Sequence, residues 1–377
     1  MDSGMVFIFI AMGGTLLNKY EMADLIFAQS MALVVILFCS CFTTQYLLLR
    51  YKKQSHDYWA RLFSFFFAIS VAVIFLWFPS IEIFILFVTG IISEFLKRYC
   101  YYINYSLISF SAMLSSVSLF IIFIACSWLD VFNLNHNTYL LCYCGARLFP
   151  LAGVLIFLYF SPKKEMRTQD DEGIKYAIVD SFKNGGVFSI ITIIYWITNQ
   201  GYFILLQDSL PASELVDLRV TQNVFGIVTM LIALYDSIFL KKNIENKQGI
   251  FHFSSFLKFS GLASFMIIIN YVLLYVLSVT IYKHIDVIKY SLLLAIAQFF
   301  YLMARMPVLI LKLRYNLSVI LGLYVFALLV SLIFLFTNKN STDFQYIVQA
   351  IALANFIVFI SSLFIVYVKE KNYGKTY

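Results

Sequence analysis

The sequence has 377 residues, of which 62% are hydrophobic and only 12% are charged, whereas a soluble domain has about 45–50% apolar and about 25% charged residues. This composition excludes a soluble globular protein, because the chain has more apolar surface than one core can bury. The formal charge of +7 comes from 27 basic residues spread along the whole chain, and no basic run indicates binding to nucleic acid. The composition predicts an all-α polytopic membrane protein.

Apolar segments long enough to cross a bilayer follow one another along almost the whole chain. A spanning helix needs about 20 predominantly apolar residues, and the first candidate is the shortest, since Asn18 and Lys19 end it early. It lacks the basic region and cleavage site of a signal peptide, so we expect it to remain as a helix. Twelve spans are predicted, at residues 4–18, 22–49, 61–78, 81–101, 105–128, 138–160, 185–206, 214–240, 256–282, 290–311, 316–336 and 345–367.

The basic residues of the connections divide them into two sides. Twenty Lys and Arg residues fall in or beside loops on one side, and only four fall on the other: Lys19, Lys283, Lys289 and Lys339. Basic residues in short loops stay on the cytoplasmic side of a membrane. The pattern therefore predicts that both termini are cytoplasmic, and removing any one span would place every later loop on the wrong side.

A polar segment divides the predicted helices into six and six. Residues 161–184 form the longest connection, so we predict an N-terminal lobe at 1–160, a cytoplasmic linker at 161–184 and a C-terminal lobe at 185–377. A parallel repeat supports this division, since EMADLIFAQ at 21–29 opens the second span and ELVDLRVTQ at 214–222 opens the eighth, at an offset of 193 residues. Internal repeats are common in secondary transporters.

Three arginines remain inside predicted spans once the loop charges are assigned: Arg147, Arg219 and Arg305. A cation near the middle of a bilayer costs at least about 2.5–3.5 kcal/mol, so such residues usually face the interior of a helix bundle or a wet cavity. Arg147 lies midway along its span, shortly before Pro150, which can open the helix. Arg219 and Arg305 lie nearer a span end, where the alternative is an interfacial position or snorkelling to the surface.

Uncharged polar residues near these arginines are candidates for contacting a polar substrate. Gln222 and Asn223 follow Arg219 by one helical turn and lie on the same face as Arg219. Gln298 shares a face with Arg305 and Tyr301. The polar residues of the seventh span suit hydrogen bonding to and stacking on sugars, with hydrogen bonds between helices as the alternative. The candidates are Gln222, Asn223, Asn199, Trp196 and Gln298.

Acidic residues open both copies of the repeat. Asp24 and Asp217 hold equivalent positions in the two copies, three residues after Glu21 and Glu214. As carboxylates at the start of a span, Asp24 and Asp217 are candidates for coupling transport to a proton or another cation. The alternative is helix capping, because an acidic residue in the first turn of a helix favours the helix dipole.

Catalytic signatures are scarce in the sequence. The four histidines lie in or beside loops without the spacing of metal ligands, and the two C-x-C pairs would point about 200° apart on a helix, so we expect buried thiols. No ATP-binding phosphate loop occurs, and the predicted external connections are too short to build an active site. We therefore predict a transporter with no catalytic residue, metal or cofactor, and not an enzyme.

At the repeat, the sequence resembles the polysaccharide-type (Wzx-type) flippases of the multidrug/oligosaccharidyl-lipid/polysaccharide exporter superfamily. The resemblance lies in the segment from Ala23 to Gln29, which runs towards Arg50, and in the corresponding helix from Asp217 to Lys242. The short first helix departs from the family pattern. The resemblance implies two six-helix lobes around a central cavity in the bacterial inner membrane.

It also implies a substrate, a polyprenyl-pyrophosphate-linked oligosaccharide that is the repeat unit of an O-antigen or capsule. Partners would then be membrane lipid and a polysaccharide polymerase with its assembly proteins. In this hypothesis Arg147 and Arg219 neutralise the pyrophosphate, and Arg305 assists near the cytoplasmic entrance.

Three other functions stay open at this point. A drug/cation antiporter of the same superfamily should carry acids rather than arginines within its spans. A membrane-embedded polysaccharide polymerase or acyltransferase should carry a large external loop or an intramembrane histidine. A structural membrane subunit would not need charged residues at mid-bilayer.

Overall fold

A computed structural model describes residues 2–45, 56–77, 80–102, 105–129, 134–160, 174–206, 210–228, 253–314, 317–338 and 344–373. Twelve long helices, named α1 to α12 in chain order, occupy these residues at the places of the twelve predicted spans. They are α1 (Asp2–Leu16), α2 (Lys19–Ser40), α3 (His56–Trp77), α4 (Ile81–Tyr102), α5 (Ser106–Trp128), α6 (His136–Phe160), α7 (Ile174–Gln200), α8 (residues 212–228), α9 (Phe253–Thr280), α10 (Ser291–Arg314), α11 (Leu317–Thr337) and α12 (Gln345–Tyr373).

Most of these helices have the length and composition of membrane spans. Within the described ranges, eight helices are long and apolar enough to cross a bilayer: α2, α3, α5, α6, α9, α10, α11 and α12. The apolar part of α1 is shorter, at Met5–Leu16, as expected for the first span. Residues 229–240 of the predicted eighth span lie outside the described residues.

Contacts along the chain divide it into two compact units. Unit 1 consists of Met1–Phe9 and Tyr20–Ile193, and unit 2 consists of Ile10–Lys19 and Ile194–Tyr377. Helices α1, α2 and α7 therefore contribute residues to both units. The lobes predicted at 1–160 and 185–377 stay a prediction.

Helix α7 begins inside the segment predicted as a linker. It starts at Ile174, and Lys175 and Lys183 on its first turns are exposed. These lysines mark where the apolar part of the chain begins and not where the helix begins, because a helix continues into water when its charged side chains stay hydrated. Residues 161–173 of the predicted linker lie outside the described part of the chain.

In unit 1, the first half of α7 packs against the end of α2. There α2 passes into a π-helical turn at Cys41–Gln45, and Ser181 Oγ donates a hydrogen bond of 2.7 Å to the Phe42 carbonyl. Gly185 permits this approach, because a Cβ at that position would lie 3.3 Å from the Cys41 carbonyl oxygen. The Phe42 ring also stacks on Phe66, with 4.6 Å between centroids.

In unit 2, α8 is buried on all sides over residues 215–221. Hydrogen bonds join α8 to neighbouring segments. Thr221 Oγ1 of α8 lies 3.1 Å from the Val287 carbonyl oxygen, and Asn270 Nδ2 donates a hydrogen bond of 2.9 Å to the Val224 carbonyl of α8. A helix buried on every side is expected to be apolar all round. The two charged side chains in this buried stretch, Asp217 and Arg219, are therefore the exception to explain.

The internal repeat coincides with the helix boundaries. Helix α2 begins at Lys19 and α8 begins at residue 212, which is the offset of 193 residues seen in the sequence. The two copies differ in their surroundings, because Asp24 is exposed in unit 1 whereas Asp217 is buried in unit 2.

Candidate functional site

Arg219 lies in the core of unit 2, and no carboxylate among the described residues pairs with it. Its relative exposure is 4%, its Nη1 donates 3.2 Å to Gln222 Oε1, and its guanidinium lies 5.1 Å from the centroid of the Phe203 ring. Its Nε is buried and has no hydrogen-bond partner among the described residues, and Arg219 forms no ion pair with any of them. A buried cation is normally paired, so this arrangement leaves a positive charge available to an anion.

Gln222 connects Arg219 to a chain of hydrogen bonds. Its Oε1 also accepts 3.0 Å from the Tyr202 hydroxyl, and its Nε2 donates 2.9 Å to the Asn199 carbonyl. Asn355 on α12 extends the chain, because its Nδ2 donates 3.2 Å to Asn199 Oδ1 and lies 3.4 Å from the Ala297 carbonyl oxygen. The network therefore joins α8, the end of α7, α12 and α10.

The end of helix α7 and the short helical turn that follows it bring aromatic rings to Arg219. Helix α7 ends at Gln200, and a short helical turn follows at Tyr202–Leu205. A Cβ at Gly201 between them would lie 2.6 Å from the Ile197 carbonyl oxygen, which is closer than side chains approach backbone. Glycine at this junction therefore lets Tyr202 and Phe203 take their buried positions beside Arg219.

Arg305 lies beside a cluster of tyrosine rings in the same unit. Its guanidinium lies 4.7 Å from the Tyr301 ring centroid, and Tyr301 stacks on Tyr195 with 5.5 Å between centroids. Tyr324 meets Tyr195 edge-on at 6.2 Å. Because α7, α10 and α11 each supply one ring, we call Tyr195, Tyr301 and Tyr324 the tyrosine cluster; each ring is partly exposed.

The remaining uncharged candidates also lie in unit 2, and two of them have a polar atom that the described residues leave unbonded. Trp196 is buried, and its Nε1 has no hydrogen-bond partner among the described residues. Gln298 Nε2 is likewise buried without a partner there, and Asn223 is half-buried beside Gln222. Such groups are rare in folded proteins and ask for an explanation, such as a ligand or an ion.

The two acidic candidates have different environments. Asp217 Oδ1 lies 3.6 Å from Lys19 Nζ, and the neighbouring Glu214 accepts 2.7 Å from Lys289 Nζ and a hydrogen bond from the Tyr290 hydroxyl. Asp24 lies in unit 1 and is exposed. Only Asp217 of the two therefore has the burial typical of a carboxylate whose protonation a fold can control.

Arg147 lies in unit 1, buried on α6 with an exposure of 5%. Its Nη1 lies 3.0 Å from the Tyr143 hydroxyl oxygen, and its guanidinium lies 5.3 Å from the Tyr143 ring centroid. The position supports the prediction of an inward-facing arginine in the middle of this span. Arg147 also lines an open cleft with about 430 Å³ of empty space inside unit 1.

Sequence spacing located some of these residues and missed others. Arg219 and Gln222 are three residues apart on one helix, so their contact could be predicted. Tyr301 and Arg305 are four residues apart, so their contact follows from spacing as well. Tyr202, Asn355, Tyr195 and Tyr324 come from other segments, and their only signal is a polar or aromatic side chain in an apolar span. No group of three metal-ligating residues occurs in the part of the chain that the structure describes.

No protein-family profile matches this sequence, and no curated protein does. Solved structures match its fold, including the inward-facing conformation of a multidrug resistance MATE family transporter of the MOP superfamily, at 12% identity over 99% of this chain and 95% of that one with a TM-score of 0.64. An outward-facing conformation of such a transporter matches at 12% identity over 100% and 93% with a TM-score of 0.55. The eukaryotic MATE transporter AtDTX14 matches at 12% identity over 97% and 92%, also at 0.55.

These matches cover nearly all of this chain and of each matched chain. They confirm the predicted all-helical polytopic membrane fold, which the chain shares with MATE transporters. At this level of identity the likeness concerns the fold, so the substrate has to be argued from the residues of this chain.

Proposed function

We propose that the chain is a flippase that carries a polyprenyl-pyrophosphate-linked oligosaccharide, the repeat unit of an O-antigen or capsule, across the bacterial inner membrane. Translocation would proceed by alternating access, in which the substrate site opens to one side and then to the other. The fold supports this mechanism, because MATE transporters that share it have been solved in inward-facing and outward-facing conformations.

The observation that carries the proposal is the buried guanidinium of Arg219. A cation held in the membrane interior without a carboxylate is costly, and an anionic substrate would neutralise it. Guanidinium groups bind phosphate oxygens through two parallel hydrogen bonds, which are strongest where water is excluded. The Nε of Arg219, which the described residues leave without a partner, is one of the donors that such binding uses.

The other candidates take complementary roles in the proposal. Arg147 in unit 1 is the second pyrophosphate ligand, and Arg305 assists. The glycan is contacted by amide and indole groups of unit 2 and by the tyrosine cluster, since sugar sites combine aromatic faces with a few polar groups. The proposed glycan contacts are Gln222, Asn223, Asn199, Trp196 and Gln298.

Asp217 and Asp24 are the proposed groups for coupling to an ion. The pairing of Asp217 with Lys19 supports a role for Asp217, because protonation of the carboxylate would remove the attraction between the two. Asp24 rests only on its equivalent position in the repeat.

A drug/cation antiporter is the second candidate, and the multidrug resistance transporters of the same fold favour it. A cationic substrate would need a buried carboxylate that is free to receive it. Among the described residues, Glu94 lies 2.5 Å from Lys97 Nζ and Asp217 faces Lys19, whereas Arg219 has no such counterion. The buried carboxylate Asp180 has a partner as well. The contrast between these partnered carboxylates and Arg219 therefore favours an anionic substrate.

The loop charges extend the proposal to the surroundings of the protein. The proposal puts both termini in the cytoplasm, as the loop charges predict, so the oligosaccharide would be loaded there and released on the outer face. A polysaccharide polymerase with its assembly proteins would then receive the lipid-linked repeat unit on that face.

The test is export of surface polysaccharide in the native host. We expect deletion of the gene to abolish surface polysaccharide and to leave lipid-linked repeat units in the inner leaflet. The wild type should restore export, Arg219→Gln should not, and Arg219→Lys should restore it in part because the charge is kept. Lys175→Gln, at an exposed lysine, is the matched control and should restore export fully.

Two outcomes would overturn the proposal. Normal surface polysaccharide in the deletion strain excludes a flippase role, and drug sensitivity in that strain would then favour the antiporter. Lipid-linked single repeat units that accumulate on the outer leaflet instead would indicate a polymerase.

A further inference from the structure

The cleft of unit 1 is formed where one face of each of α4, α5 and α6 meets the others. On α4 the lining residues include Ser93 and Lys97, on α5 they include Ser109, and on α6 they begin with Arg147. The members of each face are spaced by three or four residues, which is the spacing of one side of a helix. The cleft is open on one side, so its empty space of about 430 Å³ includes solvent at the opening.

The polar lining of this cleft has the chemistry of an anion site. It contains two cations, Lys97 and Arg147, together with serine hydroxyls, and no carboxylate occurs among the described residues that line it. Glu94 lies beside the cleft, 2.5 Å from Lys97 Nζ, and does not line it. Two cations and the hydroxyl of Ser109 therefore line a space that a negatively charged group would complement.

Ser109 is an independent sign of a missing ligand. Its exposure is 6%, and its Oγ is buried with no hydrogen-bond partner among the described residues. By contrast, the hydroxyl of Ser116, two turns further along the same face of α5, donates a hydrogen bond of 2.9 Å to the Ala112 carbonyl. An unsatisfied hydroxyl in a buried position is unfavourable, and an acceptor in the cleft would remove this cost.

The rest of the lining is apolar. Leu96, Leu151 and Val154 line the same cleft as the cations, so a bound molecule would contact both charge and hydrocarbon. Lys97 belongs to the basic residues that the loop charges place at the cytoplasmic ends of the spans. Basic pockets between membrane helices on that side bind phosphate-bearing lipid headgroups.

We propose that the cleft between α4, α5 and α6 holds the phosphate group of a lipid, with Arg147 and Lys97 as its cations and Ser109 as a hydroxyl donor. The lipid is either the polyprenyl pyrophosphate of the transported substrate, in which case the site rests on the proposed function, or a phospholipid of the surrounding membrane. Both sources present the same chemistry, a phosphate joined to hydrocarbon. Glu94 regulates the site, because it competes with the phosphate for Lys97.

The test measures binding to the purified full-length protein by native mass spectrometry and thermal shift. The probes are undecaprenyl pyrophosphate, short-chain phosphatidylglycerol, inorganic phosphate, and diacylglycerol as the phosphate-free control. Arg147→Gln should weaken binding of the phosphate-bearing lipid about tenfold, and Ser109→Ala about threefold, since a charged hydrogen bond contributes more than a neutral one. Lys175→Gln, in the same unit and exposed, should leave it unchanged.

Glu94→Gln separates binding from folding, because it should tighten lipid binding about threefold by releasing Lys97, whereas a purely structural role of the Glu94–Lys97 pair would only lower Tm. Cleft-dependent binding of undecaprenyl pyrophosphate or of phosphatidylglycerol supports the proposal and identifies the source. Binding of inorganic phosphate or diacylglycerol alone overturns it. Wild-type lipid affinity in Arg147→Gln, Ser109→Ala and Glu94→Gln overturns it as well.

The outcome is separable from that of the proposed function. If Arg219→Gln abolishes polysaccharide export while the cleft variants bind lipid like the wild type, the flippase stands and the cleft proposal fails. If the cleft variants lose lipid binding while the deletion strain exports polysaccharide normally, the cleft stands and the flippase fails.

Discussion

Lys19 and Asp217 form an ion pair between the first residue of α2 and the buried stretch of α8, with 3.6 Å between Nζ and Oδ1. The two partners are unequally buried, because the lysine side chain is 40% exposed and the aspartate side chain only 8%. The hydrated lysine can lose its partner cheaply, and the aspartate cannot. Removing one or the other should therefore have different consequences.

We expect Lys19→Met to lower the Tm of the purified protein more than Asp217→Asn does. The first leaves a buried carboxylate uncompensated, at a cost of about 1–3 kcal/mol, and the second leaves a lysine that water can solvate. The double variant should recover part of the loss, as a double-mutant cycle requires for a coupled pair. Lys283→Met, at an exposed lysine, is the control, and equal losses in the two single variants would contradict the pairing.

Arg219→Met should abolish polysaccharide export and leave Tm unchanged or raised. Replacing a buried charge by an apolar side chain of similar length is often neutral or stabilising by about 1–4 kcal/mol, and Gln222 keeps its bond from Tyr202. Asn355→Leu, which removes two hydrogen bonds of the same network, should instead lower Tm. A large fall in Tm for Arg219→Met would show that Arg219 serves the fold.

Arg147→Ala should abolish export, and Arg147→Lys should keep part of it because a positive charge remains. Tyr143→Phe separates the charge from its neighbour, since it removes the hydroxyl beside Arg147 Nη1 and keeps the ring. That variant should cost only about 0.5–1.5 kcal/mol of stability and retain export. The measurement is surface polysaccharide at matched protein levels, and normal export by Arg147→Ala would refute the role of this residue.

The tyrosine cluster should affect the glycan and not the lipid. Tyr301→Leu removes the ring that Arg305 and Tyr195 contact, whereas Tyr301→Phe keeps it. Aromatic contacts of this kind contribute about 0.5–1.5 kcal/mol, so the leucine variant should bind a lipid-linked oligosaccharide roughly 2- to 10-fold more weakly. Its affinity for undecaprenyl pyrophosphate should equal that of the wild type, and a parallel loss of both would contradict a glycan contact.

Gly201→Ala should lower Tm, because its Cβ would lie 2.6 Å from the Ile197 carbonyl oxygen. Gly322→Ala is the matched control within the same unit, since no atom beyond its own stretch of helix lies within 4 Å of a Cβ placed there. Alanine in a helix interior is favoured over glycine by roughly 0.5–1 kcal/mol, so the control should be neutral or stabilising. A normal Tm for Gly201→Ala would show that the junction after α7 can relax.

Most helices could be predicted from the sequence, because the spans are separated by polar residues that end the apolar pattern. Helix α7 is the exception, since Lys175 and Lys183 mark the edge of the apolar region and the helix extends beyond it. The distribution of basic residues likewise predicts Lys97 as a loop charge, although Lys97 lines a cleft. The position of a charged residue in the sequence indicates its depth in the membrane. It does not indicate which side chains meet in one cleft.

The candidate site could be predicted only where its contacts are local. Arg219 and Gln222 share one helix, so their spacing decides their contact. Asn199 and Asn355 are far apart in the chain, and their contact depends on how α7 and α12 pack, which a single sequence does not encode as a visible pattern. The available signal is a polar residue inside an apolar span, and Asn355 is such a residue.

The charges of α8 also bear on how the chain enters the membrane during synthesis. An insertion machinery that tests one segment at a time would meet a penalty for charged residues that is largest at the centre of a helix, at about 2.5–3.5 kcal/mol each. Helix α8 presents Asp217 and Arg219 within one turn near its start. Lys19 has already been synthesised when α8 emerges and can receive Asp217. The amino-terminal helices would thus assist the insertion of α8, so that truncating them should reduce the integration of α8 into the membrane.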